Sequence, residues 1–164
     1  MASYKELEEK VLHINQIAES KSLKFSFAES CTGGLLSALT TSQAGSSSVF
    51  DGGIVSYSNR IKHQILGVKN ETLDEFGAVS EQTTYEMAFG LKDLMQIDIA
   101  ISVSGIAGPG GAVPGKPVGT VCFGIAYLDE VHTYTEHFEG SREDVRLSSC
   151  LIALELLENA LGKF

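Results

Sequence analysis

A serine can attack a carbonyl only where a base takes its proton and fixed donors receive the oxyanion, so polar runs that follow apolar strands are read first. Three such runs stand out: AESCTGG at 28–34, SYSNRIK at 56–62 and SGIAGPGG at 104–111. Ser30 sits where a short apolar run, FSFA at 25–28, gives way to a helical one, with Cys31, Thr32, Gly33 and Gly34 following. The backbone N–H groups of that turn are aimed outward by a helix start, and the two glycines leave room for a substrate to approach the backbone. The same residues also describe an ordinary serine N-cap, and local pattern does not separate the two.

No histidine falls in the three runs, which argues against a Ser-His-Asp triad. Lys62 is the better base, because the positive end of a helix starting after Ser58 disfavours an ammonium. Tyr57 is placed to relay a proton or hold the serine hydroxyl; a surface lysine and a packed tyrosine are the plain alternatives. In the third run, Ser104, Gly105, Ala107 and Gly108 offer small side chains and backbone amides suited to wrapping an anion. The run is neither a Walker loop nor a dinucleotide fingerprint, so a loop that merely turns the chain competes with that reading. Arg142 and Arg146 share one face of the last helix near its start, where a phosphate or carboxylate ligand, or Glu143 and Asp144, would balance them.

The elements that must position these groups follow from periodicity. Leu7, Val11, Ile14 and Ala18 mark an amphipathic helix over 4–20, and Leu35, Leu36 and Leu39 a helix over 32–41. A strand is expected over 49–57, where Gly52-Gly53 signals a bulge or a close backbone approach. Ser58 and Ser80 are expected to cap helices, and Asp98–Val103 to form a third strand. Two further strands, at 118–128 and 131–138, are expected to form a hairpin turning at Asp129-Glu130. The last helix starts at Ser141 with Asp144 in a capping-box variant, and is apolar on two sides. Such a helix is buried within the fold or by a second subunit, so a homodimer is expected. The pattern predicts a three-layer α/β/α sandwich around a mixed sheet of about five strands, in one domain over 1–164, with ligands outside the carboxyl ends of the parallel strands.

Composition narrows the partners. The chain has 164 residues, 43% hydrophobic, and its 12 basic against 21 acidic residues leave a net charge of -9, which disfavours nucleic acid. No apolar run is long enough to span a bilayer and the N-terminus, KELEEK, is unlike a signal peptide, so no membrane partner and a cytoplasmic location are expected. Three scattered cysteines and four histidines supply no ligand spacing, so neither a metal nor a cofactor is expected.

Taken together, FAESCTGGLLSALTTSQAGSS at 27–47, FDGGIVSYSNRIKHQILGV at 50–68, VSGIAGPGG with KPVGTV at 103–121, and GSREDVR at 140–146 closely resemble the CinA C-terminal domain family. That family includes amidohydrolases that convert nicotinamide mononucleotide to nicotinate mononucleotide and ammonia. The resemblance implies Ser30 as nucleophile, Tyr57 and Lys62 as acid/base partners, and the SGIAGP loop with Arg146 as the nucleotide-binding region. Ser104 stands where many members carry Thr, which keeps a hydroxyl. The larger N-terminal domain found fused in some members, associated with pyrophosphatase activity, is outside this sequence. A metal-free serine amidohydrolase of pyridine nucleotide salvage is therefore expected, with a non-catalytic nucleotide-binding or regulatory module as the rival.

Overall fold

A computed structural model describes residues 1–164. Five strands form one mixed sheet in the order β2-β1-β3-β4-β5: β1 (Phe25–Glu29), β2 (Phe50–Val55), β3 (Ile99–Gly105), β4 (Thr120–Tyr127) and β5 (Glu130–His137). β1 runs parallel to both β2 and β3, and β4 and β5 add antiparallel to β3. The carboxyl ends of β1, β2 and β3 therefore lie along one edge. Helices cover both faces, giving the three-layer α/β/α architecture.

The two faces of the sheet differ in side-chain size, and this sets how each helical layer packs. Phe25, Phe27, Ile99, Ile101, Val103, Val121, Phe123 and Ile125 project into the larger core, shared with α1 (Tyr4–Ser20), α2 (Leu35–Thr41) and α6 (Arg142–Leu161). Alternate positions on the other face are small: Ala28, Ala100, Ser102, Gly124 and Ala126. There α5 (Glu81–Met95) presses directly on the strands; a Cβ on Gly124 would overlap the Thr84 carbonyl. Two shorter helices, α3 (Asn59–Leu66) and α4 (Asn70–Phe76), pack beside α5.

Local chemistry accounts for the helix starts. Ser58, Ser80 and Ser141 each accept a hydrogen bond from the backbone N–H three residues on, and Ser141 with Asp144 forms a reciprocal capping box. The sheet and α1 cover much of α6, while Leu151, Ile152 and Leu156 on its apolar sides stay partly exposed.

Three boundaries near the site and the hairpin shift from expectation, and one helix is additional. Helix α2 begins at Leu35 and not Thr32, because Gly33 and Gly34 have φ of 58° and 98°, outside the right-handed helical region. β2 ends at Val55, and 56–58 becomes the turn that delivers Lys62. The hairpin turns at Leu128-Asp129, since Tyr127 and Glu130 are the closing pair of an uninterrupted register. Helix α4 was not legible: its seven residues bury only Thr72 and Leu73, too few to make a stripe. The Gly52-Gly53 expectation is met on both counts, as the β1–β2 register shifts between Phe25 and Phe27 and Gly53 lies hard against Ser37.

Candidate active site

The end of β1 is fixed from both sides before it turns. Ser56 N–H donates to the Glu29 carbonyl at 2.8 Å, and Ser30 N–H donates to the Val103 carbonyl at 3.0 Å. Ser30 is thus the first residue past the strand, held between β2 and β3, and the Gly33 N–H closes the turn onto its carbonyl. Its side chain lies outside the carboxyl ends of the parallel strands, where such folds bind ligands. It is not an N-cap: the cap position of α2 is Gly34.

Lys62 comes from the first turn of α3 and reaches back beneath that edge. Its side chain is 1% exposed, one of the largest fully buried side chains in the chain. The Nζ atom is 3.0 Å from Ser30 Oγ, 2.8 Å from the Ser56 carbonyl and 3.3 Å from the Tyr57 carbonyl. Burial lowers its pKa from 10.5 to about 8, opposed only by the neighbouring Cys31 thiol. The largest cause is desolvation of the ammonium by the segments packed around it.

A cavity of about 200 Å³ opens over this pair, walled by Tyr57, Val79, Ser104, Gly105, Ala107 and Arg142 among others. No carboxylate lines it, while Lys62 and Arg142 do, in a chain of net charge -9. That local excess of positive charge suits an anionic ligand. A larger cavity, about 850 Å³, lies on the outer face of α3, α4 and α5, away from the carboxyl edge of the sheet; its Thr72 and Thr133 hydroxyls donate to Glu86 and Glu81, and it has no buried amine.

The remaining expected residues divide into those in the wall and those behind it. Thr32, Gly33, Gly34, Gly108 and Arg146 are not in the wall. The Tyr57 phenol, 62% exposed, accepts from Arg142 Nη2 at 3.3 Å and makes no hydrogen bond to Ser30. Arg142 Nη1 also donates to the Gly108 carbonyl at 2.8 Å, tying the glycine loop to Tyr57 across the mouth. Arg146 is used differently, donating from Nε to the Cys31 carbonyl at 3.1 Å and from Nη2 to the Thr32 carbonyl at 2.9 Å. The Ser104 hydroxyl donates to the Ala78 carbonyl at 2.7 Å and so holds the wall.

The supply of free donors is narrower than the whole 31–34 turn. Gly33 N–H is taken by Ser30 O, and Gly34 N–H by the Glu29 carboxylate at 3.0 Å. The Cys31 and Thr32 N–H groups have no acceptor from another residue, and neither have those of Ala107, Gly108, Gly110 and Gly111. Burial pushes the Cys31 thiol up to about 11, against the lowering by its own N–H and Arg146. Glu29 and the Ala78-Val79 wall were missed in the sequence. A carboxylate closing the apolar run FSFAE was the one available signal for Glu29. No three His, Cys, Asp or Glu side chains gather as a ligand set, and no helix is long and apolar enough to cross a membrane.

Fold and site together define an α/β protein with a serine–lysine pair at the switch edge of a mixed sheet. The family model of the CinA C-terminal domain matches residues 6–161, and the chain belongs to that family. It is 48% identical over 154 residues to the nicotinamide-nucleotide amidohydrolase PncC of Enterobacter agglomerans, covering 93% of this chain and 94% of that protein. It is also 42% identical to a CinA-like protein of Fervidobacterium nodosum, over 96% of this chain but only 39% of that longer protein. Among solved structures, a CinA superfamily protein from Klebsiella pneumoniae superposes with a TM-score of 0.92 at 34% identity, covering 96% of this chain and 99% of that one. A competence/damage-inducible protein from Agrobacterium tumefaciens gives 0.90 at 41% identity, with 95% of each chain covered.

Proposed function

We propose that this chain deamidates nicotinamide mononucleotide to nicotinate mononucleotide and ammonia by a metal-independent serine mechanism, in pyridine nucleotide salvage. That it is a hydrolase acting on an amide rests on its likeness to PncC across nearly the full length of both proteins. The observation that carries the mechanism is the buried Lys62 Nζ, 3.0 Å from Ser30 Oγ. A neutral amine has two N–H bonds and one lone pair. The Ser56 and Tyr57 carbonyls can receive the two N–H bonds, which directs the lone pair at the Ser30 hydroxyl.

In the first step the Ser30 proton passes to Lys62 as Oγ bonds to the carboxamide carbon, and the carbonyl becomes an oxyanion. The free N–H of Cys31, the turn residue that lines the cavity with Ser30, receives that charge; an oxyanion donor is typically worth about 3 kcal/mol. The C–N bond then breaks, and the Lys62 ammonium gives its proton to the leaving ammonia. Water, deprotonated by Lys62, attacks the acyl-enzyme and releases the carboxylate product with Ser30 restored.

The 5′-phosphate is placed toward Arg142 and the free amides of the 107–111 loop, where its binding energy is remote from the reacting amide. Tyr57 belongs at the mouth, orienting Arg142, and stays out of the proton path. Arg146 acts from behind, holding the carbonyls of the turn whose Cys31 N–H faces the oxyanion. The non-catalytic rival leaves the buried Ser30–Lys62 pair without a use. The deciding measurement is ammonia release from nicotinamide mononucleotide by purified protein, before and after exhaustive dialysis against EDTA. Equal rates are expected; no release with retained binding would leave a nucleotide-binding module, and loss restored by one divalent metal would end the metal-free mechanism.

A further inference from the structure

We propose that Glu29 is a positioning residue of the Ser30 centre, its buried carboxylate clamping the start of α2 so that the 30–34 turn presents the serine to Lys62. The inference rests on the serine–lysine reading above and goes beyond it to a residue that touches neither substrate nor base.

Glu29 is 0% exposed, and no cation lies within ion-pair distance. An unpaired buried carboxylate is costly unless donors fill both oxygens. Here four do. Oε2 accepts from Gly34 N–H at 3.0 Å and Leu36 N–H at 3.1 Å. Oε1 accepts from Ser37 N–H at 2.9 Å and Ser37 Oγ–H at 2.8 Å. The bonds run from the last residue of β1 to residues five to eight positions on, so they close a loop with Ser30 as its first member. An ordinary cap serves its own helix from the adjoining turn; this side chain ties a strand end to the following helix across the nucleophile.

Two consequences follow. The donors at the start of α2 are used up, so an anion cannot lodge there, and of the turn residues that line the cavity Cys31 keeps a free N–H for the oxyanion. The clamp is also braced from outside. A Cβ on Gly53, which pairs with Phe27 in β1, would overlap Ser37 Oγ, so only a glycine lets β2 close over the Ser37 hydroxyl and hold it on Glu29. The carboxylate makes no hydrogen bond to Ser30 Oγ or Lys62 Nζ, so its link to the pair runs through the turn that it clamps.

Glu29→Gln keeps the size of the side chain but turns an NH2 group toward two donors. The expected result is a folded protein whose kcat for ammonia release falls by at least about 100-fold, as a misplacement near 1 Å produces. KM stays within about threefold, since uniform binding is untouched. The pH of half-maximal rate also stays where the wild type has it. Ser37→Ala, which removes one donor of four, is expected to lower kcat roughly tenfold, about the weight of one hydrogen bond to a charged group. Backbone amide exchange at Leu36 and Ser37 is expected to speed up in Glu29→Gln, which reads the clamp without any turnover and so separates it from the choice of substrate and mechanism. A folded Glu29→Gln enzyme with kcat near that of the wild type, a loss confined to KM, or unchanged exchange at both amides would each overturn the proposal. If Glu29→Gln does not fold, Ser37→Ala decides, and a wild-type kcat in that variant overturns it.

Discussion

Replacing Lys62 by arginine separates the chemistry of the amine from its charge. With a pKa of about 8, Lys62 is neutral in roughly one molecule in eleven at pH 7 and in ten of eleven at pH 9. If the neutral amine is the base, kcat/KM for ammonia release rises about tenfold over that interval and levels above it. Arginine stays protonated throughout and cannot take the serine proton, so Lys62→Arg is expected to lose about 10²- to 10⁴-fold in kcat, nearly as much as Lys62→Ala. The same shift is a statement about stability. The unfolded chain binds the extra proton between pH 8 and 10.5, so the native state gains stability as pH rises through that window. Measured as the difference in unfolding free energy between wild type and Lys62→Met, the gain is up to roughly 3 kcal/mol. Below pH 8 both states carry the proton and the difference is flat. A pH-independent rate from 7 to 9, or a Lys62→Arg enzyme with near wild-type kcat, would refute the reasoning and leave position 62 supplying only positive charge.

The neighbouring residues make separate tests. Ser30→Ala removes the nucleophile but none of the backbone bonds at the strand end; kcat is expected to fall at least about 1000-fold while unfolding free energy, by urea titration, moves by no more than about 1 kcal/mol. Activity within tenfold of wild type would end the serine mechanism. Arg142→Lys is expected to raise KM with kcat nearly unchanged, whereas Arg146→Ala is expected to lower kcat and cost about 2 kcal/mol per bond lost from the turn carbonyls. Steady-state kinetics in which the two variants behave alike would remove this division of labour. Cys31, with its thiol near 11, holds only about 0.1% thiolate at pH 8, so iodoacetamide should label it slowly in the native protein and readily after unfolding. Fast labelling of Cys31 in the folded state would show that the turn is open to solvent.

Much of this was legible because it is local. Periodicity located α1, α5 and α6, serine caps located three helix starts, and the order of strands and helices implied a mixed sheet with its chemistry at one edge. Gly52-Gly53 announced a close approach without naming what approaches. The motifs ESCTGG and SYSNRIK placed Ser30 and Lys62 among the candidates, since hydroxyl and amine are read directly from residue type.

Three matters were decided only in three dimensions. That Lys62 lies on Ser30 depends on β2 pairing beside β1, which brings residues 32 positions apart to one edge. The largest cause of its lowered pKa is burial under neighbouring segments, and desolvation is a property of the surroundings. The two arginines share a helix face by spacing, yet one reaches the mouth and the other the back of the turn, because a single turn of helix carries them past different loops. Glu29 shows the limit most plainly. A lone acidic residue at the end of a strand is indistinguishable in sequence from a solvated one, and only the fold, by removing water and supplying four donors, makes it the clamp beside the nucleophile.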